Sequence, residues 1–205
     1  GWILETANKS KYINRIVVST DSKDYAKIAM SYGVDAPYLR PNNFSTDESP
    51  EFEYIKHMLE WLDKNENYQP DIIVRMMATS PLQDVDDIDT IIKKLIDDKT
   101  ADSVVVISKA SQHPEKAIKI KYNNGVGELV GYYSGSVQGV VPLVRQSYEP
   151  AYFRANAIAC WLNVIHKTGS MTGNLVRYHE IPQERAIDID SDIDFSVAEF
   201  LIKNK

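Results

Sequence analysis

One cysteine in 205 residues, Cys160, leaves no internal disulfide and no zinc site built from cysteines. Its apolar neighbours fit a small buried residue, and a cytoplasmic setting follows most simply. The four histidines, His57, His113, His166 and His179, lack metal-ligand spacing, so a histidine metal centre is not expected. No apolar run approaches the roughly 20 residues that cross a bilayer, and no charged-then-apolar leader opens the chain. The expectation is a protein neither secreted nor membrane-spanning. Net charge is -6 and no long basic cluster occurs, which disfavours a nucleic-acid surface but leaves room for a small basic pocket around an anionic substrate. Internal repeats and low-complexity tracts are also missing.

What is present is the composition of one soluble domain, 43% hydrophobic and 25% charged. The expectation is a single domain over 1–205. Arg15 to Asp21 reads as a buried strand, followed by a helix with Tyr25, Ile28, Ala29 and Tyr32 on one face and Gly33 as its stop. Val34 to Leu39 is a short strand, and Phe52, Ile55, Leu59 and Leu62 mark a second amphipathic helix. Asp71 to Met77 is a strand broken at Thr79-Ser80-Pro81, after which Ile88, Ile91, Ile92, Leu95 and Ile96 repeat at helical spacing. Strands over Ser103–Ser108, Asn156–Ile165 and Val176–Ile181 and a helix from about Asp194 complete the pass. Such alternation predicts a three-layer α/β fold with a mostly parallel sheet. Between His113 and Arg154, five glycines and short alternating pieces such as Ala117 to Ile120 interrupt the rhythm; the segment reads as an insertion that lids a site or reaches a second subunit.

The most informative stretch is Ala186-Ile187-Asp188-Ile189-Asp190-Ser191-Asp192-Ile193-Asp194. In an extended segment Asp188 and Asp190 project to one side, where two carboxylates can hold magnesium against a phosphate. Asp194 reads as a helix cap. Solvated loop and cap residues are the alternative, and spacing alone does not separate the two. The cluster Asp84, Asp86, Asp87 and Asp89 reads as dipole-favouring acids at a helix start, without a catalytic role.

Six motifs in order, Val17-Val18-Ser19-Thr20-Asp21, Leu39-Arg40-Pro41 with Asp47, Ala78-Thr79-Ser80-Pro81-Leu82, Ala101-Asp102-Ser103-Val104-Val105, Phe153-Arg154-Ala155-Asn156 and Ile187-Asp188-Ile189-Asp190, make the chain resemble the acylneuraminate cytidylyltransferases. The related octulosonate enzymes carry Gln-Gly-Asp-x-Pro where this chain has Ala-Thr-Ser-Pro-Leu, which disfavours that sibling. The resemblance implies a Rossmann-like nucleotide-sugar transferase sheet. It also implies a dimerisation insertion, about residues 112–154, crossing to a partner in a homodimer. The implied reaction is attack by the anomeric hydroxyl of a sialic or related nonulosonic acid on the α-phosphorus of CTP, releasing pyrophosphate with Mg2+ present. Positioning and electrostatics then do the chemistry, with no covalent enzyme intermediate. By residue, the resemblance implies Asp188 and Asp190 beside the metal, with Arg145 near sugar and phosphate. Lys116 faces the sugar acid, Arg154 and Asn156 line the substrate pocket, and Arg40 the cytosine pocket.

Departures qualify the match. Met77 stands where the family has a sugar-reading glutamine, Cys160 replaces a tyrosine, and Glu51 falls near a small hydroxyl on the base side. A thioether cannot replace paired donor and acceptor, so a sugar with more apolar substituents, such as a legionaminic or pseudaminic acid, is expected. The chain opens at Gly1-Trp2-Ile3-Leu4, which resembles the helix after the family's first strand and glycine- and lysine-rich phosphate loop; that strand and loop are expected to be missing here, as in a piece of a longer protein. Two other classes compete: a catalytically silent nucleotide-binding or dimerising module, and a glycosyltransferase with a DxD metal site, which does not explain Ala78 to Leu82.

Overall fold

Successive residues of the central strands are buried against opposite faces of the sheet, and that sets the layers of the fold. The structure, a computed structural model, describes residues 1–46, 48–133 and 148–204, with Asn156 in its backbone only. The helices are α1 (Trp2–Lys9), α2 (Lys23–Ser31), α3 (Glu51–Glu66), α4 (Val85–Asp97), α5 (Leu162–Thr168) and α6 (Asp192–Lys203). The strands are β1 (Ile72–Met76), β2 (Ser103–Lys109), β3 (Ile118–Asn123), β4 (Val126–Gly131), β5 (Tyr152–Trp161) and β6 (Val176–Ile181). The chain divides into two compact units, one of Gly1–Ile107 with Arg154–Lys205 and one of Ser108–Phe153.

In the first unit, Val104 and Val106 of β2 and Ala157 and Ala159 of β5 pack with Ile88, Ile91, Ile92 and Leu95 of α4. Val105, Ile158, Cys160 and Ile73 pack on the other face with Ile55 and Leu59 of α3 and Ile165 of α5. Period-two alternation against two sets of helices makes three layers, because a strand buried on both faces carries apolar side chains at successive positions.

The sheet order is β1-β5-β2-β6, and β5 runs antiparallel to β1, with Ile73 opposite Cys160 and Arg75 opposite Ile158. The expected mostly parallel sheet is therefore corrected. The cause is long-range: after β2 the chain leaves, and the Ala110 amide donates to the Ala151 carbonyl at 2.8 Å just before β5 begins. A segment re-entering at the end where its predecessor left runs back the other way, without the crossover that a parallel neighbour needs. The expected strands over Arg15–Asp21 and Val34–Leu39 reduce to two isolated parallel bridges, Val17 with Asp35 and Thr20 with Leu39.

Helix faces follow spacing in α3, where Ile55, Leu59 and Leu62 are buried, and in α4, where only Ile96 of the expected set is exposed. In α2 the face differs: Ala26 and Ala29 are buried while Tyr25, Ile28 and Tyr32 are exposed. The apolar run after β5 turns helical at Leu162, whose amide donates to the Asp71 carbonyl at 3.0 Å. At α6 the N-cap is Ser191 rather than Asp194. Asp194 instead accepts from the Ser191 hydroxyl at 2.6 Å and lies 3.3 Å from the Asp190 amide, the reciprocal arrangement of a capping box. These bonds hold the Asp194 carboxyl below its usual range. In the second unit, β3 and β4 pair antiparallel through Asn124-Gly125, both at positive φ, as a two-residue hairpin turn requires.

Two carboxylates tie the α4–β2 turn to the entry of β6. Asp102 Oδ2 accepts from the Asn174 and Leu175 amides at 2.6 and 2.9 Å. Gly173, at φ +68, lies so close to Asp102 that a Cβ there would collide with it. Asp98 accepts from the Thr100 hydroxyl at 2.5 Å and the Thr100 amide at 3.1 Å, and Arg177 Nε donates to its other oxygen at 2.8 Å. The Thr100 hydroxyl, followed by Arg177, lowers the Asp98 carboxyl from 3.8 to about 2. A depressed folded-state value means that this stabilisation is complete above about pH 4 and fades as pH falls towards about 2. Asp98→Asn is expected to lower the urea midpoint near neutral pH, with the gap to the parent closing between pH 4 and 2; a pH-independent gap would show that ionisation of Asp98 plays no part.

Candidate functional site

The chemistry-bearing groups of the first unit gather around the end of β1 and the segment after it. On one side, the Ile189 amide donates to the Thr79 carbonyl at 2.9 Å and the Ser80 hydroxyl lies 3.4 Å from Asp188 Oδ1. The loop from Ala186 is thereby laid on Ala78–Pro81, over a sequence distance of 108 residues. Asp188 is half-buried and Asp190 exposed, and the loop has no regular strand geometry. Its borders are the 3-10 turn Gln183–Arg185 and the capped start of α6.

On the other side, Arg40 follows the Thr20–Leu39 bridge, its amide donating to the Thr20 carbonyl at 2.8 Å. Its Nε donates to Ser45 Oγ at 3.1 Å, its guanidinium lies 5.1 Å from the Tyr54 ring centre, and Asp21 is 4.0 Å away. Arg75 Nε pairs closely with Glu51 Oε1, and its Nη2 lies 3.4 Å from Oε2. The Tyr54 hydroxyl is also 3.4 Å from Glu51. Burial, then Glu51, push the Tyr54 phenol up to about 12, so it remains a neutral donor. The Glu51–Arg75 pair thus joins the Arg40 and Tyr54 cluster to β1, five residues before Ser80. Motif matching did not single out Arg75 or Tyr54. The only signal for them is that Glu51 departs from the family's small hydroxyl, since an added carboxylate attracts a neighbouring cation.

Of the remaining expected residues, Asn156 precedes Ala157, whose partner in the sheet is Met76 at the end of β1. Arg154 is exposed, with Nη1 3.4 Å from Thr172 Oγ1, and Asn156 belongs to β5. In the second unit, Lys116 ends a 3-10 turn and stands 5.5 Å from the Tyr148 ring centre, on which His113 stacks at 4.5 Å. Asp47 and Arg145 lie outside the described residues. Trp61 packs tilted on Tyr38 at 5.3 Å, and the Trp161 Nε1 proton goes to the Ala101 carbonyl at 3.1 Å, as core aromatics do. A surface hollow of about 290 Å³ between α3 and α5 contains none of the expected site residues.

Among the described residues no three His, Cys, Asp or Glu side chains converge as a metal cage. Asp188 and Asp190 nonetheless suit Mg2+, which takes one or two protein carboxylates and fills its remaining positions with phosphate oxygens and water. The donors are hard oxygens, and the only thiol, Cys160, is buried in the core. No helix among the described residues is long and apolar enough to cross a membrane.

The chain is 26% identical over 97% of its length to post-translational flagellin modification protein B of Campylobacter coli, covering 81% of that protein. It is 28% identical over 96% of its length to CMP-N,N'-diacetyllegionaminic acid synthase of Legionella pneumophila, covering 82% of it. Among solved structures, CMP:2-keto-3-deoxy-manno-octonic acid synthetase complexed with CTP superposes with a TM-score of 0.63. The match covers 98% of this chain and 86% of that one at 14% identity, a likeness of fold. The sequence pattern of the cytidylyltransferases matches residues 1–150, close to three quarters of the chain and inclusive of the Arg40 and Ser80 segments. The chain belongs to the cytidylyltransferase family, the nucleotidyltransferases to which its ordered motifs point.

Proposed function

We propose that this cytidylyltransferase transfers CMP from CTP to the anomeric hydroxyl of a nonulosonic acid and releases pyrophosphate. The observation that carries the reading is the docking of the Asp188 loop on Thr79-Ser80, which brings two motifs far apart in sequence to one place. Asp188 and Asp190 hold Mg2+, which when bound offsets charge on the phosphates. Ser80 orients the Asp188 carboxylate, and Arg40, steadied by Ser45 and Tyr54, meets the base. Arg154, and Arg145 by motif position, supply cations for a sugar carboxylate, the Lys116 ammonium suits the same kind of anion, and Asn156 offers the hydrogen bonds of a neutral amide; a guanidinium holds a carboxylate through two hydrogen bonds. The comparisons do not favour a silent module of the same fold.

The sugar class rests on Met77. A thioether at the sugar-facing position favours a nonulosonic acid with more apolar substituents, such as a legionaminic or pseudaminic acid, over plain N-acetylneuraminate. The protein works as a homodimer in the cytoplasm. The β3–β4 hairpin supports dimerisation because it exposes Ile118, Ile120, Tyr122 and Leu129, and these lie on one face of the ribbon.

Three outcomes test the proposal. Asp190→Asn is expected to lower CTP-dependent pyrophosphate release at least about 100-fold, and near-parental turnover removes Asp190 from the mechanism. Across a panel of nonulosonic acids, kcat/KM is expected to be highest for legionaminic or pseudaminic acid, with Met77→Gln shifting preference towards N-acetylneuraminate; a parental preference for N-acetylneuraminate rejects the sugar class. Sedimentation at micromolar concentration is expected to give a dimer that Ile120→Lys dissociates, whereas a monomeric parent rejects that assembly.

A further inference from the structure

Asp87 sits in the first turn of α4, where an acid favours the dipole, while the capping hydrogen bond to the Asp86 amide is made by the Asp84 side chain. Asp87 is 4% exposed. A carboxylate so placed stays charged only with partners, and its partners come from β6 and the turn after it. His179 Nε2 is 2.9 Å from Oδ1, Arg185 Nη2 donates to the same oxygen at 3.2 Å, and Arg185 Nε lies 3.1 Å from Oδ2. Arg185 is three residues before Asp188. Three residues of chain span at most about 10 Å, so the position of Arg185 limits where Asp188 can lie.

We propose that Asp87 is a positioning residue: through Arg185 it anchors the loop that carries Asp188 and Asp190 and keeps it seated on Thr79-Ser80. Among the described residues the loop is held by Asp87–Arg185 and the core packing of Ala186 at its start, Ile189 to Thr79 and Asp188 to Ser80 in its middle, and the Ser191–Asp194 box at its end. The middle attachments are one backbone bond and one long side-chain contact, so the loop's seat depends on its two ends. Removal of Asp87 leaves the Arg185 guanidinium without a counter-charge. It then turns towards solvent, and the first attachment is lost. The role assigned to Asp87 rests on the reading of Asp188 and Asp190 as the metal-side acids.

The test is amide hydrogen exchange in the full chain, comparing the Ile189 amide with the β2 amides of Val104 and Val106. Asp87→Asn and Arg185→Gln are each expected to speed Ile189 exchange at least about tenfold while the β2 amides hold their protection, and Arg185→Lys is expected to restore part of it. In the intact enzyme, half-saturation by Mg2+ is expected to rise with the sugar KM unchanged. Unaltered Ile189 exchange in both variants overturns the proposal. Equal acceleration at Ile189 and β2 also overturns it, since Asp87 then serves global stability alone. If Asp87→Asn does not fold, Arg185→Gln, changed on the more exposed partner, carries the comparison. Activity retained in Asp190→Asn instead overturns the reading of the acids and leaves the exchange result standing.

Discussion

The constraint on which the first unit depends is that the chain leaves its sheet after β2 and comes back beside the point of departure, fixed by the bond from Ala110 to Ala151. That return makes β5 an interior strand, hydrogen-bonded on both sides, and gives the sheet a strand with apolar residues on both faces. The two helical layers then have a continuous floor to pack on. The end of β1, braced by β5 alone within the four strands, is where the loop bearing Asp188 and the cluster around Arg40 both arrive.

Local rules made much of this legible. Spacing located α3 and α4 and their buried faces, because a 3.6-residue repeat of large aliphatics leaves one solution for burial. In α2 the same rule held only for Ala29: the small Ala26 and Ala29 are buried, and the larger Tyr25 and Ile28 remain outside. Strand direction was not legible, since it is set by where a 40-residue excursion ends and not by any residue within β5. The hairpin turn at Asn124-Gly125 carried a local signal in its asparagine–glycine pair.

The candidate site divides the same way. Ordered motifs marked Asp188, Asp190, Arg40 and the Thr79-Ser80 segment, and the structure joins Asp188 to Ser80. Asp87 was hidden because a helix-start acid has a sufficient local explanation, while its actual partners are 92 and 98 residues away. Asp89 was hidden likewise; it accepts from the Ser10 hydroxyl at 2.5 Å and secures the end of α1. Buried carboxylates of this kind fix geometry more than they add stability, because the desolvation they suffer offsets much of their attraction.

Cys160 lies near the end of β5, opposite Ile73 of β1 and packed under Ile55, Leu59 and Ile165, and burial pushes its thiol up to about 12. As the sole sulfhydryl it is closed to alkylating reagents in the native state, and reaction begins when the helices packed over it lift from the sheet. The chain therefore carries its own unfolding clock: the rate at which a maleimide consumes that sulfur reads the opening of this helical layer from the sheet.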